Sequence, residues 1–248
     1  VIGGWLQSWF GWRSVFVFLT LLTGALWLIS WRWLPETLPP EKRTSLRPGY
    51  LARTYAKVMR TPAFLLTTGA LAFNFSGFFI YVLSAPTFIM THLGRSEREF
   101  LWLFGPGMAG LMLGSWFSAR LAGKYTPLQC IARGYVLMGI AAALNLAISH
   151  LLPPGIPWSV APVFLYTAGM ALAMAPLTLI ALDPFAHERG LAASCQTFLQ
   201  SGFNGIAAGL IAPLLWGSTP ELAWGMAGFA ACGAIATLLH ARRSQQRG

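Results

Sequence analysis

Charge is the scarcest property of this chain. Of its 248 residues only 10% are Asp, Glu, Lys or Arg, and seven are acidic, whereas a soluble domain carries about 25% charged residues. With 56% apolar residues and a mean hydropathy of +0.59, the sequence holds too little polar surface to cover a water-facing protein of this size. Other absences narrow the function. The three cysteines, Cys130, Cys195 and Cys232, have no metal-ligand spacing, and an odd number builds no disulfide framework; they read as small buried hydrophobes. The four histidines, His92, His150, His187 and His240, stand at helix ends or in loops, so no metal or cofactor is expected. Asp183 is the one aspartate. A membrane-embedded hydrolase or transferase needs a Ser/His pair, paired aspartates or a metal at membrane depth. The sequence assembles none of these, which argues against an enzyme.

What is present is a series of seven long apolar runs, at about 14–34, 62–92, 100–121, 128–150, 158–183, 190–215 and 221–241. A hydrocarbon core about 30 Å thick takes about 20 such residues per helix, so the fold class is an all-α polytopic membrane protein. Residues 1–9 read as the end of one more span, followed by an interfacial turn at Gln7, Ser8, Gly11 and Trp12, where Trp is favoured. The chain begins without Met inside an apolar segment that does not have the pattern of a signal peptide, and it reads as the C-terminal part of a longer protein. Thr61-Pro62 has the form of an N-cap with Pro at the first helical position, and Pro86 and Pro176 should kink the spans that hold them.

Alternating the connections across a bilayer sorts the 17 basic residues. One side receives Arg32, Lys42, Arg43, Arg47, Arg53, Lys57, Arg60, Arg120, Lys124, Arg133, Arg189, Arg242, Arg243 and Arg247. The other receives Arg13, Arg95 and Arg98. By the positive-inside rule the first side is cytoplasmic and so is the C-terminus. The net charge of +10 is then a matter of topology, and a nucleic-acid partner is not expected because no basic face is formed. Within the 35–62 loop, Leu51, Tyr55, Val58 and Met59 share one helical face while Arg53, Lys57 and Arg60 share another. This pattern predicts an amphipathic helix on the inner leaflet; an irregular linker carrying topogenic charges fits the same residues.

The run Gly114-Ser115-Trp116-Phe117-Ser118-Ala119-Arg120-Leu121-Ala122-Gly123-Lys124 resembles the second copy of the short cytoplasmic loop signature of the major facilitator superfamily. In that signature a Gly ending one helix is followed by an Asp-Arg pair and then by Gly and a basic residue. Gly114, Arg120, Gly123 and Lys124 match it, and Ala119 stands where the Asp would be. Ile2-Gly3-Gly4-Trp5 with Gly11-Trp12-Arg13 and Phe16 is similar to the end of the antiporter signature on the family's fifth helix. Leu34-Pro35-Glu36-Thr37 is similar to the end of its sixth. The stretches Tyr81-Val82-Leu83-Ser84-Ala85-Pro86 and Gly190-Leu191-Ala192-Ala193-Ser194 resemble the seventh and eleventh helices of the Bcr/CflA drug-resistance branch. The resemblance implies the C-terminal part of a twelve-helix fold, from the end of helix 5 through helix 12. Residues 1–34 would close the N-terminal half, 35–61 would link the halves, 62–241 would form the C-terminal six-helix half, and 242–248 a cytoplasmic tail. It further implies a bacterial inner-membrane drug/proton antiporter conferring antibiotic resistance. Such a carrier works by alternating access, with an amphipathic small molecule as substrate, protons as coupling ion and the N-terminal helical half as the missing partner. A carrier for a metabolite or sugar is the alternative.

No ionisable residue is evident at mid-membrane, where one would mark function by default, so no proton site is assigned. Polar stripes take its place as candidates. Gln196, Gln200 and Asn204, four apart, share one face of a helix for two turns; pocket lining and interhelical hydrogen bonding both fit them. Asn74, Gly77, Tyr81 and Ser84 form a second stripe, surrounded by Phe75, Phe78 and Phe79. An aromatic wall with a few amides and hydroxyls suits a bulky apolar ligand, and plain aromatic packing fits it too. The substrate-binding expectation is therefore Asn74, Phe78, Tyr81, Gln196, Gln200 and Asn204. Gly110-x-x-x-Gly114 and Gly205-x-x-x-Gly209 are expected to let helices approach closely, and Gly105-Pro106-Gly107 to loosen the start of its helix.

Overall fold

The computed structural model describes residues 6–7, 9–35, 47–96 and 99–245, and they are helical almost throughout. Ile2 to Trp5, Glu36, Thr37, Lys42, Arg43, Arg98 and Arg247 lie outside the described residues. The chain divides into two compact units, 1–44 and 45–248. In the first, α1 (Trp12–Trp33) starts after Gly11, whose φ of 77° suits a residue without a side chain. The Ser14 hydroxyl donates to the Leu6 carbonyl at 2.9 Å, and Trp27 stacks on Trp31.

The second unit holds α2 (Pro48–Met59), α3 (Pro62–Leu83), α4 (Leu101–Leu121), α5 (Pro127–Leu151), α6 (Ala161–Leu182), α7 (Arg189–Ile206), α8 (Ala212–Leu215) and α9 (Thr219–Gln245). A π-helical turn, Thr87–His92, follows α3, and another, Ala207–Ile211, joins α7 to α8. Six helical stretches among the described residues are long and apolar enough to cross a membrane. The expected seventh, α4, has 21 residues and so the length to span about 30 Å. Its glycines, serines, tryptophans and Pro106 keep it less apolar than the others.

Helix α6 lies at the centre, packed against α3, α4 and α5, while α9 packs against α3 and α5. The contacts with α6 are made through small residues. A Cβ built on Gly114 would fall on the Ala168 carbonyl oxygen of α6, and one on Gly110 would fall on Phe164 and Thr167. Gly134 of α5 and Gly169 of α6 face each other's backbones in the same way. This is the close approach expected of Gly110 and Gly114. Gly205 and Gly209 differ, for a Cβ on either would meet open space. Around these contacts Tyr81, Met138, Tyr166, Met170 and Met226 fill one apolar core.

The span expected at about 100–121 is α4, which runs through Gly114 to Leu121, so Gly114 does not stand at a helix end as in the resembled signature; Gly123, with a φ of 80°, takes the left-handed conformation that closes helices. The amphipathic helix expected within the 35–62 loop, rather than an irregular linker, is present as α2, and part of its apolar ridge packs on protein. Thr54 and Val58 are buried, and Val58 joins Phe64, Ala181, Phe185, Ala192 and Cys195 in a second apolar cluster. Tyr55 and the basic Arg53, Lys57 and Arg60 stay exposed.

Candidate functional site

Helix α3 opens at Thr61 and Pro62 as expected, although the Thr61 hydroxyl bonds back to the Lys57 carbonyl rather than capping the helix. Its predicted stripe is enclosed by the bundle. The Asn74 amide donates to the Tyr135 hydroxyl at 3.0 Å, and the Tyr166 hydroxyl donates to the Asn74 carbonyl at 3.0 Å. Tyr135 in turn meets the Thr237 hydroxyl at 2.9 Å. Asn145 of α5 donates to the Tyr81 hydroxyl at 2.6 Å, and Tyr81 packs edge-on against Phe88. Asn74, Phe78 and Tyr81 are all buried. In this arrangement they face neighbouring helices, and no small molecule reaches them without helix movement.

The second stripe lies at the edge of the bundle. Gln196, Gln200 and Asn204 are each partly exposed on α7, which packs against α3. Asn204 accepts from the Ser76 hydroxyl at 3.4 Å, while the Gln196 side-chain oxygen is buried without a partner. Beside the stripe, Phe203 packs edge-on against Phe73 and Phe229. The structure thus separates the six expected residues into an enclosed α3 group and a half-open α7 group.

A cleft that the sequence reading did not anticipate lies between α4 and α6, closed at one end by the α4–α5 turn. It encloses about 1180 Å³, above the roughly 300–1,000 Å³ of common small-molecule pockets. Apolar side chains such as Leu111, Met174 and Leu179 make most of its wall, and Ser115, Ser118, Thr178, Tyr125 and Arg189 supply its polar groups. The turn is held by a capping box in which Thr126 and Gln129 satisfy each other's backbone N–H groups. The loop-signature residues sit here. Ala119 and Gly123 line the cleft, Arg120 stacks over Trp116 at 4.4 Å, and Lys124 is exposed. Arg133 lies 3.5 Å above the Tyr125 ring, and Arg189 binds Asp183 at 3.1 Å. The signal available in the sequence was the row of small residues at Ser115, Ser118, Ala119 and Ala122, which leaves one side of α4 thin. Among the described residues no group of His, Cys, Asp or Glu could hold a metal.

An all-helical bundle with these spans and loop residues matches a known profile over residues 1–208, that of the Major Facilitator Superfamily. The chain belongs to this superfamily. It is similar to a chloramphenicol resistance protein of Pseudomonas aeruginosa, 27% identical over 216 residues that cover 87% of this chain and 50% of that protein. It is also similar to multidrug resistance protein D of Escherichia coli (strain K12), 28% identical over 222 residues, covering 86% and 53%. The multidrug transporter MdfA of Yersinia pestis bv. Antiqua (strain Angola) is 29% identical over 175 residues, covering 69% and 42%. The chain spans about half the length of the first two. As a superfamily member with several apolar spans it is a multi-pass membrane protein, and its family is one of carriers rather than enzymes.

Proposed function

We propose that this chain forms the C-terminal half of a bacterial inner-membrane carrier of the Bcr/CflA branch, which exports amphipathic small molecules in exchange for protons. The observation that carries the reading is the superfamily match combined with relatives whose names record drug and chloramphenicol resistance. The half-open α7 stripe supports it, because three amides on a helix edge offer hydrogen bonds without a fixed charge. We assign substrate contact to Gln196, Gln200 and Asn204. Asn74, Phe78 and Tyr81 hold α3 in place behind them and reach substrate only if the helices shift. The coupling carboxylate belongs to the partnering half, and the excess of basic residues on one side of the spans supports a cytoplasmic C-terminus.

The complete protein, expressed in a pump-deficient bacterium, tests this. Accumulation of chloramphenicol and a panel of amphipathic dyes should fall, and a protonophore should restore it. Unchanged accumulation with the protein present in the membrane overturns the reading and favours a carrier for a metabolite or sugar.

A further inference from the structure

The cleft between α4 and α6 lies apart from both predicted stripes, and its chemistry is selective in two ways. Helical Ser and Thr ordinarily bond back to a carbonyl three or four residues earlier, as Thr67 and Ser149 do here. Ser118 bonds across to the Leu172 carbonyl at 3.4 Å. The hydroxyls of Ser115 and Thr178, one from each wall of the cleft, do neither and find no partner among the described residues. They are free to bond a ligand. The second feature is the sign of the charge. No carboxylate lines the cleft. Arg189 lines it directly, Arg120 and Lys124 adjoin the lining residues Ala119, Gly123 and Tyr125, and Arg133 covers the Tyr125 ring. Two carboxylates adjoin the lining in turn, Asp183, paired with Arg189, and Glu188, paired with Lys57, which leaves the basic groups in excess. An apolar cleft with cations at its mouth focuses a positive potential.

We propose that this cleft is a binding site for amphiphiles that are uncharged or anionic, held by the Ser115 and Thr178 hydroxyls and screened against cations by the basic rim. The proposal deepens the exporter reading and rests on it for the ligand's role, while the binding itself is measured without transport. The complete protein in neutral-lipid nanodiscs is titrated with 1-anilinonaphthalene-8-sulfonate, an amphipathic anion, against empty nanodiscs, and with tetraphenylphosphonium, an apolar cation. The anion should bind and the cation should not displace it. Losing one neutral hydrogen bond weakens binding about fivefold, so Ser115→Ala with Thr178→Val should weaken the anion about 25-fold. Ala119→Trp, which fills the cleft, should abolish saturable binding, and Arg189→Gln should weaken it most at low salt. Circular dichroism and thermal melting of each variant show that it is folded. Anion binding unchanged in the double variant and in Ala119→Trp overturns the site, and displacement by tetraphenylphosphonium overturns its charge selectivity. Binding as expected in a protein that exports nothing from cells leaves the site standing and overturns the exporter reading alone.

Discussion

Asn145 shows how one buried polar side chain can tie several helices of a membrane bundle together. It donates to Tyr81 and approaches the Met226 sulfur at 3.4 Å, tying α5 to α3 and α9. Interhelical hydrogen bonds in membranes average about 0.6 kcal/mol, but leaving a buried hydroxyl unpaired costs about 1–3 kcal/mol. Asn145→Leu should therefore destabilise the protein by about 1 kcal/mol, read as a lower melting temperature in detergent. Tyr81→Phe should cost less, and Tyr81→Ala more because it also opens a cavity. Asn145 and Tyr135 escaped the sequence reading because neither belongs to a periodic stripe on its own helix, and their partners are 64 and 61 residues away. Asn74 and Tyr81 were legible as a polar face. What that face meets is decided by α5, α6 and α9, which no pattern within α3 encodes.

Helices are the scale at which the sequence spoke most clearly. The long apolar runs all coincide with helices, six of them apolar and long enough to cross a membrane, and Thr61-Pro62 marks a true helix start. The glycine pairs show where this legibility stops. Gly110 and Gly114 have the same spacing as Gly205 and Gly209, yet only the first pair meets a neighbour. Gly114→Val should therefore separate α4 from α6 and lower both expression and melting temperature. Gly205→Ala should be neutral or stabilise by up to about 1 kcal/mol through helix propensity. Helix α2 teaches the same lesson, since its amphipathic pattern was plain but did not say whether lipid or protein covers the apolar ridge. Glu188, at the start of α7, contacts Lys57 at 3.6 Å and Tyr50 at 3.4 Å. The Lys57 side chain is 61% exposed, so the ion pair is worth at most about 1 kcal/mol. Glu188→Gln should leave the fold intact while tryptic cleavage within α2, at Arg53 or Lys57, accelerates several-fold.

For the whole molecule, the testable consequence of the charge distribution is its orientation. In a cysteine-free background, Ser96→Cys should react with a membrane-impermeant maleimide added to intact spheroplasts. Ser244→Cys should react only after permeabilisation. The reverse pattern would invert the topology and move the α4–α6 cleft to the outer side.

The docking of α2 also sets a mechanical limit. From Pro35, just past α1, to Arg47, where the chain enters α2, there are twelve links. At full stretch they reach about 43 Å. Helix α2, where they end, is anchored at once to three spans: Val58 packs with Phe64 of α3, Ala181 of α6, and Ala192 and Cys195 of α7, and Lys57 pairs with Glu188 at the start of α7. A tug on α2 is therefore shared among these three helices, one of which carries Gln196, Gln200 and Asn204.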